Sequence, residues 1–129
     1  MMILLDSSFT LIKPSQPVGL VYAQYLEAST NLSVDPATIQ AAFRSSIARA
    51  PSPTYSYENS GHDTEVSWWR SLVLQIFSET LEKSSLSAPA PELEACFDSL
   101  FDHYAQPTSW ALYPETAFFL EAASKIGTI

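Results

Sequence analysis

The sequence predicts a mainly α protein, a bundle of about five helices with one short N-terminal strand. Apolar residues recur at helical spacing in five separate stretches, and proline-rich breakers divide those stretches from one another. Only one continuous apolar run, Met2–Leu5, ends at once in a turn-forming segment, Asp6-Ser7-Ser8, and so reads as a buried strand entering a turn. With 129 residues the chain is long enough for one hydrophobic core and short for two.

Each element follows from its own residues. Lys13-Pro14-Ser15-Gln16-Pro17 breaks the chain, because each proline removes an N–H donor and drives the residue before it toward extended geometry. After it Val18, Val21, Tyr22, Tyr25 and Leu26 share one helical face, with Pro17 suited to a first turn. Asp35-Pro36 starts a second helix, Asp35 as N-cap and Pro36 at N1, with Ile39, Ala42, Phe43 and Ile47 on one face as far as about Ala48.

The segment from Pro51 to Gly61 has loop composition. Asp63 or Thr64 then caps a third helix carrying Val66, Trp69, Leu72, Val73, Ile76, Phe77 and Leu81, the strongest helical pattern in the chain. Pro89-Ala90-Pro91 precedes a fourth helix marked by Leu93, Cys96, Phe97, Leu100, Phe101 and Tyr104, which Gln106-Pro107 ends. A fifth runs from Pro114 to Lys125 with Gly127 as C-cap. One buried strand leaves its N–H and C=O groups without a partner strand, so the inventory lacks a sheet.

Hydrophobic residues make up 47% and charged residues 16%, the balance of a folded domain rather than a disordered one. Fourteen acids against six bases give a formal charge of -8, a field that repels phosphate backbones and anionic lipid, so neither nucleic acid nor a membrane is an expected partner. The single cysteine, Cys96, cannot close an internal disulfide. No apolar run approaches the roughly 20 residues of a membrane span, and the N-terminus does not read as a secretory signal, which makes the expected location cytoplasmic.

Several blocks then agree, in order, with a known family. "ILLDSSFTLI" followed by "KPSQPVGLVYAQYLEA", the tryptophan pair in "EVSWWRSLV", and "FDSLFDHYAQPTSWALYPETAFFLEAASKIG" resemble the N-terminal half of a haloacid dehalogenase-like (HAD) hydrolase with a D-x-x-G-T-L nucleophile loop. The resemblance implies an incomplete Rossmann-like α/β fold: residues 1–16 as first core strand and nucleophile loop, 17–107 as a four-helix cap, and 108–129 as the returning core helix. The family's later motifs, a Ser/Thr-Asn strand end, a lysine and a magnesium-holding acidic pair, are not among these residues.

By the same resemblance Asp6 holds the nucleophile position; from the residues alone it reads as a turn aspartate. Family phosphatases place a second aspartate, the acid–base, where Ser8 stands, and a serine hydroxyl does not titrate near neutral pH. Ser8 therefore argues against ordinary phosphatase chemistry, whereas carbon–halogen cleavage needs no protonated leaving group. Phe9 replaces the loop's usual glycine, whose backbone geometry a phenylalanine tolerates poorly. Magnesium, held in the family by the nucleophile carboxylate and the backbone carbonyl of the Ser8 position, is expected only once the core is completed.

Other conspicuous residues have structural readings. Of Trp68 and Trp69 one is expected in the core and one at its rim; Cys96 is expected as a small core residue; His62 and His103 lack metal-ligand company; Lys13 and Arg70 are expected on the surface. Three functions follow as expectations. The first is a truncated HAD-like hydrolase of the phosphatase/dehalogenase family, inactive as an isolated chain. The second is a helical interaction module that pairs with itself as a homodimer or with a partner, and the third is one half of a split hydrolase that meets a complementary core fragment.

Overall fold

A computed structural model describes all of residues 1–129. The chain is mainly helical, with β1 (Ile12–Pro14), α1 (Val18–Thr30), α2 (Pro36–Arg49), α3 (Gly61–Lys83), α4 (Ala90–Tyr104), a 3-10 turn at Pro107–Ser109, β2 (Trp110–Leu112) and α5 (Thr116–Ser124). It divides into two compact units, one of residues 17–102 and one of residues 1–16 with 103–129.

In the helical unit α1 packs on α2 and α2 on α3. No side chain caps α1, and the orphan amide of Gly19 in its first turn is satisfied from α2, donating to Gln40 Oε1 at 2.8 Å. The helices meet closely there: a Cβ on Gly19 would lie 2.3 Å from the Pro36 carbonyl oxygen, so only glycine permits the approach. α1 ends on Asn31 in the left-handed region, whose N–H donates to the Glu27 carbonyl at 2.8 Å.

Asp35 caps α2, accepting from the Ala37 N–H at 3.1 Å with Pro36 in the first turn. The buried face of α2 is Ile39, Ala42 and Ser46; Ile47, expected inside, is exposed, because the contact with neighbouring helices falls one position earlier on the helix surface. The N-cap of α3 is Ser60, not Asp63 or Thr64. Its hydroxyl accepts from the Asp63 N–H at 3.0 Å, so Gly61 and His62 join the first turn and Asp63 sits where a negative charge meets the helix dipole. α4 likewise begins earlier than its first apolar residue, at Ala90, since Pro91 needs no N–H that early in a helix.

The core of this unit is mostly aliphatic and aromatic, with the hydroxyl side chains of Ser46 and Thr80 also buried. Leu26, Ile39, Ile76, Phe77, Cys96, Phe97 and Leu100 are buried, and Tyr22 lies 5.8 Å from both the Phe43 and the Phe77 ring centroids.

In the second unit β1 and β2 pair antiparallel, Ile12 opposite Leu112 and Pro14 opposite Trp110. Pro14 lacks a donor, and the pairing does not need one there, because the flanking bonds run through the Leu11 carbonyl, which accepts from the Tyr113 N–H, and the Ser15 N–H, which donates to the Ser109 carbonyl. Buried Thr116 ties α5 to this sheet, its Oγ1 donating to the Leu11 carbonyl at 2.7 Å.

Met2–Leu5, expected as a buried strand, is neither a full strand nor buried. Met2 makes one parallel bridge with Thr128, the Ile3 N–H donating to the Thr128 carbonyl at 2.8 Å and the Thr128 N–H to the Met1 carbonyl at 3.0 Å, while Met2 and Leu4 are exposed. A parallel strand is stable when neighbours flank it and layers cover both faces, and within these residues Thr128 alone pairs with it. Gly127 is not a left-handed C-cap, since no glycine has positive φ. It is needed for space instead: a Cβ there would stand 2.6 Å from the Met1 carbonyl oxygen.

Candidate nucleophile loop

Asp6 ends the Met2–Leu5 segment, and the chain then folds into a tight loop around one carbonyl. The Ser7 carbonyl accepts from the N–H groups of Thr10, Leu11 and Ile12 at 3.2, 2.8 and 3.1 Å, and the Phe9 N–H donates to the Ile12 carbonyl at 2.7 Å. Closing so many bonds within the six residues Ser7 to Ile12 requires a backbone reversal. It occurs at Phe9, whose φ of 61° lies in the left-handed region. Phenylalanine thus takes up a geometry that glycine would adopt freely, and the residue is 63% exposed, so little burial offsets the strain within this chain.

Thr10 Oγ1 donates to Asp6 Oδ2 at 2.9 Å, fixing one carboxylate oxygen and leaving the other toward solvent. Thr10 thereby joins the candidate site; the sequence signal for it is its place as the threonine of the resembled D-x-x-G-T-L pattern. Ser8, expected from the resemblance at the acid–base position, is exposed, and its carbonyl lies outside the bonds that organise the loop. The loop's far end is anchored: Leu11 accepts from Thr116 Oγ1 and from the Tyr113 N–H at 3.2 Å, and Ser15 bonds to the Ser109 and Thr108 carbonyls, both at 2.8 Å.

Chemically this arrangement presents one oriented, solvent-facing carboxylate. Asp6 takes part in none of the chain's ion pairs, and Lys13 stands instead over the Tyr113 ring, 5.4 Å from its centroid. No group of three or more His, Cys, Asp or Glu stands together anywhere in the chain. One carboxylate and one carbonyl do not make the octahedral oxygen set that magnesium requires, so these residues by themselves do not fit the ion.

Trp68 and Trp69 stack edge to face at 4.9 Å and both are half-buried, rather than one in the core and one at the rim; Trp68 Nε1 donates to the Pro51 carbonyl at 2.7 Å and holds the loop before α3. Two adjacent helix positions differ by about 100° in direction, so neither ring reaches the axis of the bundle when they share a rim. Arg70 pairs with Glu94 and Asp98 of α4 at 3.3 and 3.6 Å and lies over the Phe97 ring. His62 meets the edge of Phe101 at 6.3 Å and belongs to the helical unit, whereas His103 belongs to the other. Burial pushes the Cys96 thiol up to about 11, with a hydrogen bond to Ser29 opposing weakly, so it is un-ionised and unreactive at neutral pH.

No family model and no curated protein matches this sequence. No helix is long and apolar enough to cross a membrane.

Proposed function

We propose that these residues are the N-terminal part of a HAD-like hydrolase of the phosphatase/dehalogenase family, with Asp6 at the nucleophile position. The reading rests above all on Phe9: a bulky residue at the resembled family's glycine position holds a left-handed φ of 61° that glycine adopts freely, while Thr10 orients the Asp6 carboxylate. The parallel Met2–Thr128 bridge supports it further, since α5 lies between the two paired residues as a helix lies between parallel strands of an α/β core.

The chemistry assigned to Asp6 is in-line attack by one carboxylate oxygen, forming an acyl phosphate with phosphorus or an ester with carbon as the bond to the leaving group breaks. The alcohol of a phosphate ester departs as an alkoxide that needs a proton, and Ser8 does not supply one; a halide departs without one. This favours the dehalogenase branch. Charge neutralisation by a lysine and by magnesium would need a complementary core fragment, since these residues by themselves do not fit the ion. The lone Cys96 suits a reducing cytoplasm.

The experiment is turnover of p-nitrophenyl phosphate and of a 2-haloacid by the 129-residue chain, alone and with a core segment that carries the Ser/Thr-Asn, lysine and acidic-pair motifs. The isolated chain is expected to be inert and the completed core active. Complemented turnover that survives Asp6→Asn would refute the nucleophile assignment, and turnover by the isolated chain would refute the need for completion.

A further inference from the structure

The unit of residues 1–16 with 103–129 has little interior. Only Ser109, Thr116 and Ala123 in it are buried, and Thr116, at 2% exposure, is the most deeply buried of them. Packing alone does not call for a threonine there, because valine has the same shape and no hydroxyl that must find a partner. Nor does the hydroxyl serve its own helix: Thr116 stands in the first turn of α5, whose N-terminus has no side-chain cap. It donates instead to the Leu11 carbonyl at 2.7 Å, a shorter bond than the one of 3.2 Å that the Tyr113 N–H makes to the same oxygen.

That carbonyl is one end of a planar peptide group whose other end is the Ile12 N–H, and the two point in opposite directions on one rigid plane. The Ile12 N–H donates to the Ser7 carbonyl at 3.1 Å, one of the three bonds that close the loop. Thr116 therefore holds one end of a peptide group while the other end closes the loop, and turning the plane breaks both bonds. The loop needs such a hold. Phe9 stands at a φ of 61°, and strained backbone persists only where its surroundings over-determine it. Thr10, whose Oγ1 donates to Asp6 Oδ2 at 2.9 Å, lies between Phe9 and the held peptide.

We propose that Thr116 is a positioning residue for the Asp6 carboxylate. Its hydroxyl fixes the Leu11–Ile12 peptide, the peptide fixes the backbone of Thr10, and Thr10 fixes the carboxylate. That the fixed carboxylate serves attack on a substrate rests on the reading of Asp6 as nucleophile; the fixing itself does not.

Nuclear magnetic resonance of the 129-residue chain tests this with two pairs of side chains at position 116. Threonine and valine share a shape, serine and alanine both lack a methyl group, and within each pair the hydroxyl is what differs. Hydrogen exchange at the Thr10, Leu11 and Ile12 amides is expected to quicken about threefold to tenfold in Thr116→Val against the unsubstituted chain, and in Thr116→Ala against Thr116→Ser, as one hydrogen bond is lost. The Phe119 amide of α5 is expected to keep its rate within each pair. The Hα–Hβ couplings of Asp6 are expected to hold the values of one staggered rotamer with either hydroxyl and to take averaged values without one. Averaged couplings in the unsubstituted chain overturn the proposal. So do couplings indifferent to the hydroxyl, or a Phe119 rate that rises as much as the loop's, since that marks general loosening of the unit. Should valine unfold the unit, the serine and alanine pair decides the matter. Complemented turnover that survives Asp6→Asn would remove the nucleophile reading and leave these readouts as they stand, so the two failures are distinguishable.

Discussion

Replacing Phe9 by alanine and, separately, by glycine isolates the backbone term in the candidate nucleophile loop. Both variants lose the same ring, so any burial of that ring cancels between them. They differ in one Cβ at a φ of 61°. Holding an L-residue there costs about 1–2 kcal/mol, and glycine gives back about 0.5–1 kcal/mol through its larger backbone entropy when unfolded. The glycine variant is therefore expected to be the more stable of the two by about 0.5–1 kcal/mol. Urea unfolding followed by circular dichroism measures the difference directly; in a thermal scan it amounts to about 2–4 °C for a chain of this size. At a site with negative φ the order reverses, because alanine then gains from its smaller unfolded-state entropy. An alanine variant equal to or more stable than the glycine variant would show that the loop is not held in the left-handed geometry, and with it would go the main support for reading Asp6-Ser7-Ser8-Phe9-Thr10-Leu11 as a nucleophile loop.

Gly19→Ala is expected to destabilise the chain by about 1–3 kcal/mol despite alanine's better helix propensity, since the added methyl meets the Pro36 backbone oxygen at 2.3 Å; a raised urea midpoint would contradict the close α1–α2 approach. Raised pH probes the buried thiol. With folded Cys96 at about 11 and the free group at 9.0, the folded chain binds more protons than the unfolded one between those values, so stability present below pH 9.0 is lost as pH climbs toward about 11. Subtracting the pH–stability profile of Cys96→Ala from that of the unsubstituted chain should reveal this fall, and parallel profiles would refute the burial assigned to the thiol.

Helical periodicity was readable wherever a stretch had one wet and one dry face, as in Leu72, Val73, Ile76, Phe77 and Leu81. Local chemistry was readable too: Asp35-Pro36 starts a helix because a carboxylate and a fixed φ are sufficient, whatever surrounds them. What escaped were choices between locally equal options. Ser60 and Asp63 both suit a helix N-terminus, and the turn leading into α3 selected Ser60. Ser46 rather than Ile47 is buried because the neighbouring helices lie on that side, a fact outside the α2 sequence. The apolar run Met2–Leu5 has the composition of a buried strand, but burial is supplied by neighbours, and here Thr128 is its one ladder partner.

The sequence by itself determined the mainly helical class, the breakers between helices and the presence of an aspartate at the head of a turn, because propensity, capping and proline act within a few residues. Only the tertiary structure decided that Phe9 takes a left-handed φ, that Thr10 holds the Asp6 carboxylate and that Thr116, 105 residues away, anchors the same loop through Leu11. Those features depend on bonds that close across the fold, and no local preference of phenylalanine or threonine specifies them.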